Sequence, residues 1–273
     1  MTKLSAKETL TSTFTPFLGD DGIEIKRLED IPRELTVREG ERAAGSEAPV
    51  HSHEWGQLLY ASSGVMQVMA QGAIWVIPSQ RAVWIPPGID HSIKVIHNVT
   101  LRNVYIAPKS MIDMPLNCQV MFITPLLREL IAKAVAFSPL YNTDGPEGRI
   151  AQVILDCLKS APTTPLHLPV PENGPIKDIA DHLKQHPSDS ATLNEWATRL
   201  GTTSRTLARQ FKKQTDMTFG QWRQQARLLE ALGRLAMKHP IANIAQDLGY
   251  ASQSAFSVMF RKALGITPGK YFS

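Results

Sequence analysis

The 273-residue sequence predicts two domains of different class: an all-β barrel or sandwich followed by two helices, then an all-α domain. Three observations predict this. Between residues 22 and 107, short segments rich in β-branched and aromatic residues recur at even spacing. Residues 161–175 hold five prolines, which rule out a helix and favour a semi-rigid extended connector. Beyond them, helical spacing takes over and one pattern occurs twice. The length suits one large or two ordinary domains. At 43% hydrophobic and 20% charged, the composition is that of a globular protein. No apolar run reaches ~18 residues, so no membrane partner is expected. Met1–Glu8 lacks the apolar core of a signal peptide, which makes the cytoplasm the expected location. Cys118 and Cys157 form no disulfide framework and no CxxC site, and read as small buried hydrophobes.

In chain order, residues 1–20 carry no usable pattern, and disorder is the expectation there. The strand candidates are 57–61, 65–69, 73–77, 81–85 and 93–96, separated by Ser63-Gly64, Gln71-Gly72 and Pro86-Pro87-Gly88. Residues 124–138 carry Leu126, Leu127, Leu130 and Ile131 at helical spacing, and 146–160 carry Ile150, Val153, Ile154 and Leu158. Two readings of these helices stay open: they cap their own barrel, or they present part of their apolar face to a second copy. The organisation is then 21–160, a connector at 161–175, and 176–273. Helices are expected at about 175–186, 192–199, 203–213, 218–237, 241–248, 252–263 and 267–272.

The duplicated pattern begins at Ala197-Thr198-Arg199-Leu200-Gly201, followed by Thr203–Leu207 and Phe211-Lys212-Lys213. Forty-eight positions after Ala197, Ala245-Gln246-Asp247-Leu248-Gly249 is followed by Ala251–Ser254 and Phe260-Arg261-Lys262. A small residue lets two helices pack closely and the glycine supplies the turn, so each copy reads as a helix-turn-helix. Leu207 with Phe211, and Phe256 with Phe260, point inward. The outer face keeps Thr203, Ser204, Arg205, Thr206, Arg209 and Lys212 in the first copy. In the second it keeps Ser252, Gln253, Ser254, Ser257, Arg261 and Lys262. Arginine pairs bidentately with guanine, glutamine with adenine, and hydroxyls with bases or phosphates. Residues 171–273 hold 14 basic against 8 acidic side chains, and residues 1–170 hold 15 against 17. That imbalance fits a polyanionic partner. The bland alternative is a helical bundle with a solvated basic face.

Residues 176–272 resemble the DNA-binding domain of AraC/XylS-family transcription regulators. The matching stretches are Thr192–Ala197, Ser204–Phe211, Ile244–Tyr250 and Ser254–Phe272, the last ending in Phe-Arg-Lys, Gly-Ile-Thr-Pro and Tyr-Phe. The resemblance implies two helix-turn-helix motifs joined by a linker helix, entering successive major grooves on one face of a promoter duplex. Because their polar surfaces differ, the copies are expected to read different half-sequences.

In the first domain, His51-Ser52-His53, Gln57 four residues on, and Pro86–His91 resemble the two cupin motifs, which implies a cupin-like barrel. Two histidines at i and i+2 on a strand share a face. The resemblance implies a metal set of His51, His53, Gln57 and His91. Gln57 stands where cupins carry a glutamate, so no carboxylate is present, and Zn²⁺ or Ni²⁺ on imidazole is the candidate cofactor. Effector contact without metal, or an empty barrel, remain alternatives. Trp55, Tyr60, Trp75, Trp84 and Tyr105 are the effector-pocket candidates, against the ordinary reading of strand aromatics as core. Glu54 and Asp90 are candidate partners for an imidazole. The layout most resembles the cupin-bearing, NimR-like subset of the family. It implies a regulator, activator or repressor, whose first domain senses a small molecule or metal. A homodimer is expected because family members often pair through the N-terminal part, and RNA polymerase is a further candidate partner. The rival reading is a metal-dependent cupin enzyme fused to a helical module. It needs a carboxylate that Gln57 replaces, so no enzymatic activity is expected. A scaffold with no DNA role leaves the basic outer faces unexplained.

Overall fold

The computed structural model describes residues 17–18, 24–79, 81–164 and 166–271. The expectation of disorder over residues 1–20 falls outside the described residues, except at β1 (Phe17–Leu18), which pairs with β2 (Glu24–Ile25).

Nine further strands form one antiparallel sheet. They are β3 (Leu35–Arg42), β4 (Glu47–His51), β5 (Gly56–Ala70), β6 (Ala73–Pro78), β7 (Arg81–Ile85), β8 (His91–Ile106), β9 (Gln119–Phe122), β10 (Thr163–Thr164) and β11 (His167–Pro169). The long strands β5 and β8 pair from Gly56↔Ile106 to Ala70↔His91, with register shifts between Ala61 and Met66. The first half of β5 also pairs with β7 and its second half with β6. Likewise β8 pairs with β4 and then β3. The sheet therefore has two halves sharing β5 and β8. It does not close among the described residues, so the architecture is a cupin-like sandwich rather than a sealed barrel. Ser63-Gly64, expected as a turn, is instead an irregularity inside one strand. Gly64 has φ +79°, and a Cβ there would meet Asn98 O at 2.1 Å, so glycine lets the strand kink without ending.

Alternation along β5 and β7 sorts side chains onto two faces. Leu59, Ala61, Val83 and Ile85 enter the inner core. Leu58, Tyr60, Ala82 and Trp84 face α1 (Pro125–Ala134) and α2 (Pro146–Lys159), packing on Leu127, Ile131, Ile154 and Leu158. The two helices thus cap their own sheet, leaving Leu126 and Val153 as the exposed remainder.

The proline-rich stretch is extended, and it is also fastened. β10 pairs with β9, and β11 pairs with β6 through His167↔Trp75. Leu166 and Leu168 are buried, and the His167 ring stacks on Trp75 at 4.8 Å. Seven helices follow: α3 (Pro175–Gln185), α4 (Leu193–Arg199), α5 (Ser204–Thr215), α6 (Phe219–Ala236), α7 (Ile241–Asp247), α8 (Gln253–Leu264) and α9 (Pro268–Tyr271). Reciprocal caps from Thr192 with Glu195 and Thr218 with Gln221 start α4 and α6. α6 lies on β6 and β11. Its Trp222 Nε1 donates to Pro169 O at 2.7 Å and its Gln225 Nε2 to His167 O at 3.1 Å. One apolar core runs from the sheet interior through Leu168, Trp222 and Leu232 to Phe211 and Phe260.

Candidate nucleic-acid interface and sensor site

Each helix pair is built alike. Ala197 and Ala245 are buried at the helix contact, and Gly201 and Gly249 turn the chain at φ +61° and +73°. Thr203 caps α5, its hydroxyl accepting from Thr206 N at 3.2 Å. Ser252 caps α8, accepting from Ala255 N at 3.1 Å. Leu207, Phe211, Phe256 and Phe260 are fully buried beneath these helices. From glycine to cap the first turn spans 201 to 203 and the second 249 to 252, so the second is one residue longer. Matched cap to cap, Arg205 corresponds to Ser254, Arg209 to Val258, and Lys212 to Arg261.

The outer faces carry the residues expected there. Arg205, Arg209, Gln253, Ser254, Arg261 and Lys262 are exposed, with Ser204 and Ser257 half-buried. Four expected contacts are partly committed elsewhere. The Thr203 and Ser252 hydroxyls hold their own helix starts, and Thr206 Oγ1 lies 2.9 Å from Thr203 Oγ1. Lys212 Nζ is bound to Asp216 Oδ1 and to Asp216 O, both at 2.7 Å, closing the end of α5. Three other basic residues turn inward. Arg223 donates to Ala191 O, Arg227 to Pro187 O and Asp189 O, and Arg234 to Glu230 and Asp247. Burial pulls the Arg227 guanidinium below its ordinary pKa. The sequence carries no mark separating these arginines from the outward ones, beyond their place on the long central helix.

In the first domain, three imidazoles gather at the end of β4 and the start of β8. Ring centroids lie 4.2 Å apart for His51 and His91, 5.1 Å for His53 and His91, and 6.2 Å for His51 and His53. Each Nδ1–H donates to a main-chain carbonyl: His51 to Pro49 O at 2.8 Å, His53 to Trp55 O at 2.5 Å, His91 to Ile89 O at 2.9 Å. In a neutral imidazole this tautomer leaves the lone pair on Nε2. Gln57 Oε1 sits 2.9 Å from His53 Nε2, while its amide nitrogen donates to Asn103 Oδ1 at 3.1 Å and Tyr105 OH at 3.3 Å. A half-turn of that amide would give the His53 lone pair a donor. His91 is 1% exposed, its Nε2 has no hydrogen-bond partner, and burial lowers its pKa to about 4. It is therefore neutral at neutral pH. The donor chemistry fits a borderline divalent ion, and the orphaned Nε2 marks a place for an electrophile or donor. Yet no set of three or more His, Cys, Asp or Glu among the described residues is arranged to hold a metal. Glu54 and Asp90 are exposed and bond to none of the rings, and main-chain carbonyls orient them instead.

Of the pocket aromatics, only Tyr105 joins this cluster, 5.8 Å from His53. Tyr60 and Trp84 are packed under α1 and α2, Trp55 lies in a small core with Ile25 and Ile31, and Trp75 stacks on His167. A cavity of about 1000 Å³ opens elsewhere, lined by Val50, Gln67, Met69, Ile74, Ile93 and Lys94. Gln67 and Ile74 also line a smaller one of about 210 Å³ against Leu168, Ala226 and Leu229, at the seam with α6. These lining residues carry no sequence motif.

An AraC-like ligand binding domain family matches residues 36–186, and a helix-turn-helix domain family matches residues 196–273. The HTH-type transcriptional regulator NimR of Escherichia coli K12 is 38% identical over 226 residues, covering 83% of this chain and 82% of that protein. The chain belongs to the AraC family. It is a DNA-binding transcription regulator with a ligand-binding domain. Regulatory protein SoxS of Escherichia coli K12 is 35% identical over 97 residues, which are 35% of this chain and 91% of SoxS. Among solved structures, ToxT of Vibrio cholerae aligns over 88% of this chain and 98% of its own, with 12% identity and a TM-score of 0.36, too loose a likeness to carry an argument. The relatives it matches are named as transcription regulators. No helix among the described residues is long and apolar enough to cross a membrane.

Proposed function

We propose that this AraC-family regulator reads a promoter with α5 and α8, and that occupancy of its first domain changes how α6 presents them. The observation supporting the first part is the pair of capped helices, each apolar beneath and polar above. Arg205 and Arg209 would face bases from α5, and Gln253, Ser254 and Ser257 from α8. Arg261 and Lys262 would face phosphate. In the first domain, His51, His53, Gln57, His91 and Tyr105 would meet an effector through imidazole nitrogens and the Gln57–Tyr105 pair. The imidazoles suit Zn²⁺ or Ni²⁺ in kind, but no three such side chains among the described residues are arranged to hold an ion, so this reading needs none. The larger cavity is a second candidate, favoured by its volume and by the walls it shares with the α6 seam. His91→Gln and Met69→Trp separate the two, since only the variant at the true site should lose the effector response.

The seam with α6 is the route we propose for coupling, a population shift between DNA-competent and incompetent arrangements. The helices at 124–160 pack on a separate core and leave α6 to β6 and β11. Pairing of two copies, through Leu126 and Val153 on α1 and α2, and recruitment of RNA polymerase belong to this proposal as well. The test is to map binding across fragments of the source genome at two salt concentrations. A few discrete sites surviving the higher salt are expected. Diffuse binding that disappears with salt, with every candidate effector added, would sink the reading.

A further inference from the structure

We propose that Val258 reads a thymine methyl group, so that the second helix-turn-helix unit selects sequence by an apolar contact where the first uses arginine. This rests on the reading that α8 faces bases. Val258 is 70% exposed, against 37% for Leu200 and Ile266, the other large apolar residues exposed among the described residues of the helical domain. It lies two residues from each of the buried Phe256 and Phe260, about 200° around the helix from the first, at the crest of the outer face. Ser254 stands one turn before it, and Arg261 and Lys262 one turn after, all exposed. The cap-to-cap match puts Val258 where α5 carries Arg209.

Neither packing nor helix propensity explains a valine there. It touches no core, and a β-branched residue is a poorer helix former than alanine, lysine or arginine. Its side chain does suit an apolar target. χ1 of valine is nearly fixed in a helix, so its two methyls are presented with little entropy left to lose. The apolar feature that base edges offer in the major groove is the C5-methyl of thymine. Flanking Ser254, Arg261 and Lys262 are suited to base edges and phosphate, which would seat the valine between polar anchors.

The test uses the full chain, a duplex selected from a random-sequence library, and single replacements of thymine by deoxyuracil, which remove only the methyl. For the natural protein, one replacement in the segment protected by α8 should weaken binding about fourfold, the worth of one buried methyl-sized group. Val258→Ala should bind both duplexes alike, while replacements elsewhere act equally on both proteins. Val258→Thr, which keeps one methyl, should fall between them. If no replacement discriminates the natural protein from Val258→Ala, the proposal is overturned and the regulator reading stands. If the library yields no selected sequence, both fail together.

Discussion

The two helix-turn-helix units share one pattern and differ in how their turns are held. At Gly201 a Cβ would meet nothing within 4 Å, whereas at Gly249 it would lie 2.6 Å from Ser188 O and 3.1 Å from Arg227 Nη2. The second unit is also tied to α6 by Arg234 Nη1 on Asp247 at 2.7 Å and by the Arg227 guanidinium over Tyr250 at 5.6 Å. The first is held elsewhere: Gln214 of α5 accepts from Glu172 N at 3.1 Å, ahead of α3, and Arg223 of α6 reaches only the main chain before α4, at Ala191 O, while Thr203 to Thr206 and Lys212 to Asp216 are local. A repeat of sequence has become a division of labour: one unit with a charged, open reading face, the other built into the central helix.

The turns offer the hardest test of that contrast. Both glycines sit in the left-handed region, so Gly201→Ala should cost about 1 kcal/mol from backbone conformation alone. Gly249→Ala should cost about 3 kcal/mol or more, because its Cβ must displace main chain. Urea unfolding of the two variants measures this, and equal costs would break the comparison. Next come the reading faces. Arg205→Ala or Arg209→Ala should lose about 1–3 kcal/mol of discrimination between duplexes, and Ser254→Ala about 1 kcal/mol. Competition binding with base-substituted duplexes tells them apart. An unchanged preference for both arginine variants would place them on phosphate. Removing either cap, Thr203→Ala or Ser252→Ala, should cost about 1 kcal/mol of stability. That near-equality, read from thermal unfolding, would show that the units differ in their turns and surfaces and not in their helix starts. The smallest expected effect is at Lys212, whose pairing with Asp216 is exposed. Lys212→Ala should change stability by under about 1 kcal/mol and leave the salt dependence of DNA binding intact. Lys262→Ala should lower that slope by about 1. A slope change for Lys212→Ala as large as that of Lys262→Ala would show that Lys212 leaves Asp216 for the duplex.

The helices were most legible where a 3.6-residue period meets a start signal. Thr124, Thr192, Thr203, Thr218 and Ser252 all cap where the pattern begins. Strands were legible only where they are apolar. β3, Leu-Thr-Val-Arg-Glu-Gly-Glu-Arg, is half charged because its second half lies at the surface, and β11 ends on a proline that reads as linker. Alternation told which residues share a face but not what covers it, so Tyr60 and Trp84 read as well for a pocket as for the contact with α1 and α2. The histidine cluster was legible through the resemblance to the cupin motifs, since spacing alone joins only His51 and His53. The commitment of Lys212 was not, since it depends on Asp216 taking the left-handed C-cap at φ +54°.

Trp222 hydrogen-bonded to Pro169 has a consequence for anyone recombining such regulators. The natural place to cut would be the proline-rich stretch, yet β11 is shared property: its main chain serves β6 on one edge and the α6 indole on the other. A chimera that keeps this DNA-binding half and replaces the sensor inherits a tryptophan whose acceptor belongs to the discarded sheet. The transplantable unit is therefore α3 to α9 together with residues 167–169 and a matching β6 edge, a boundary that no count of prolines reveals.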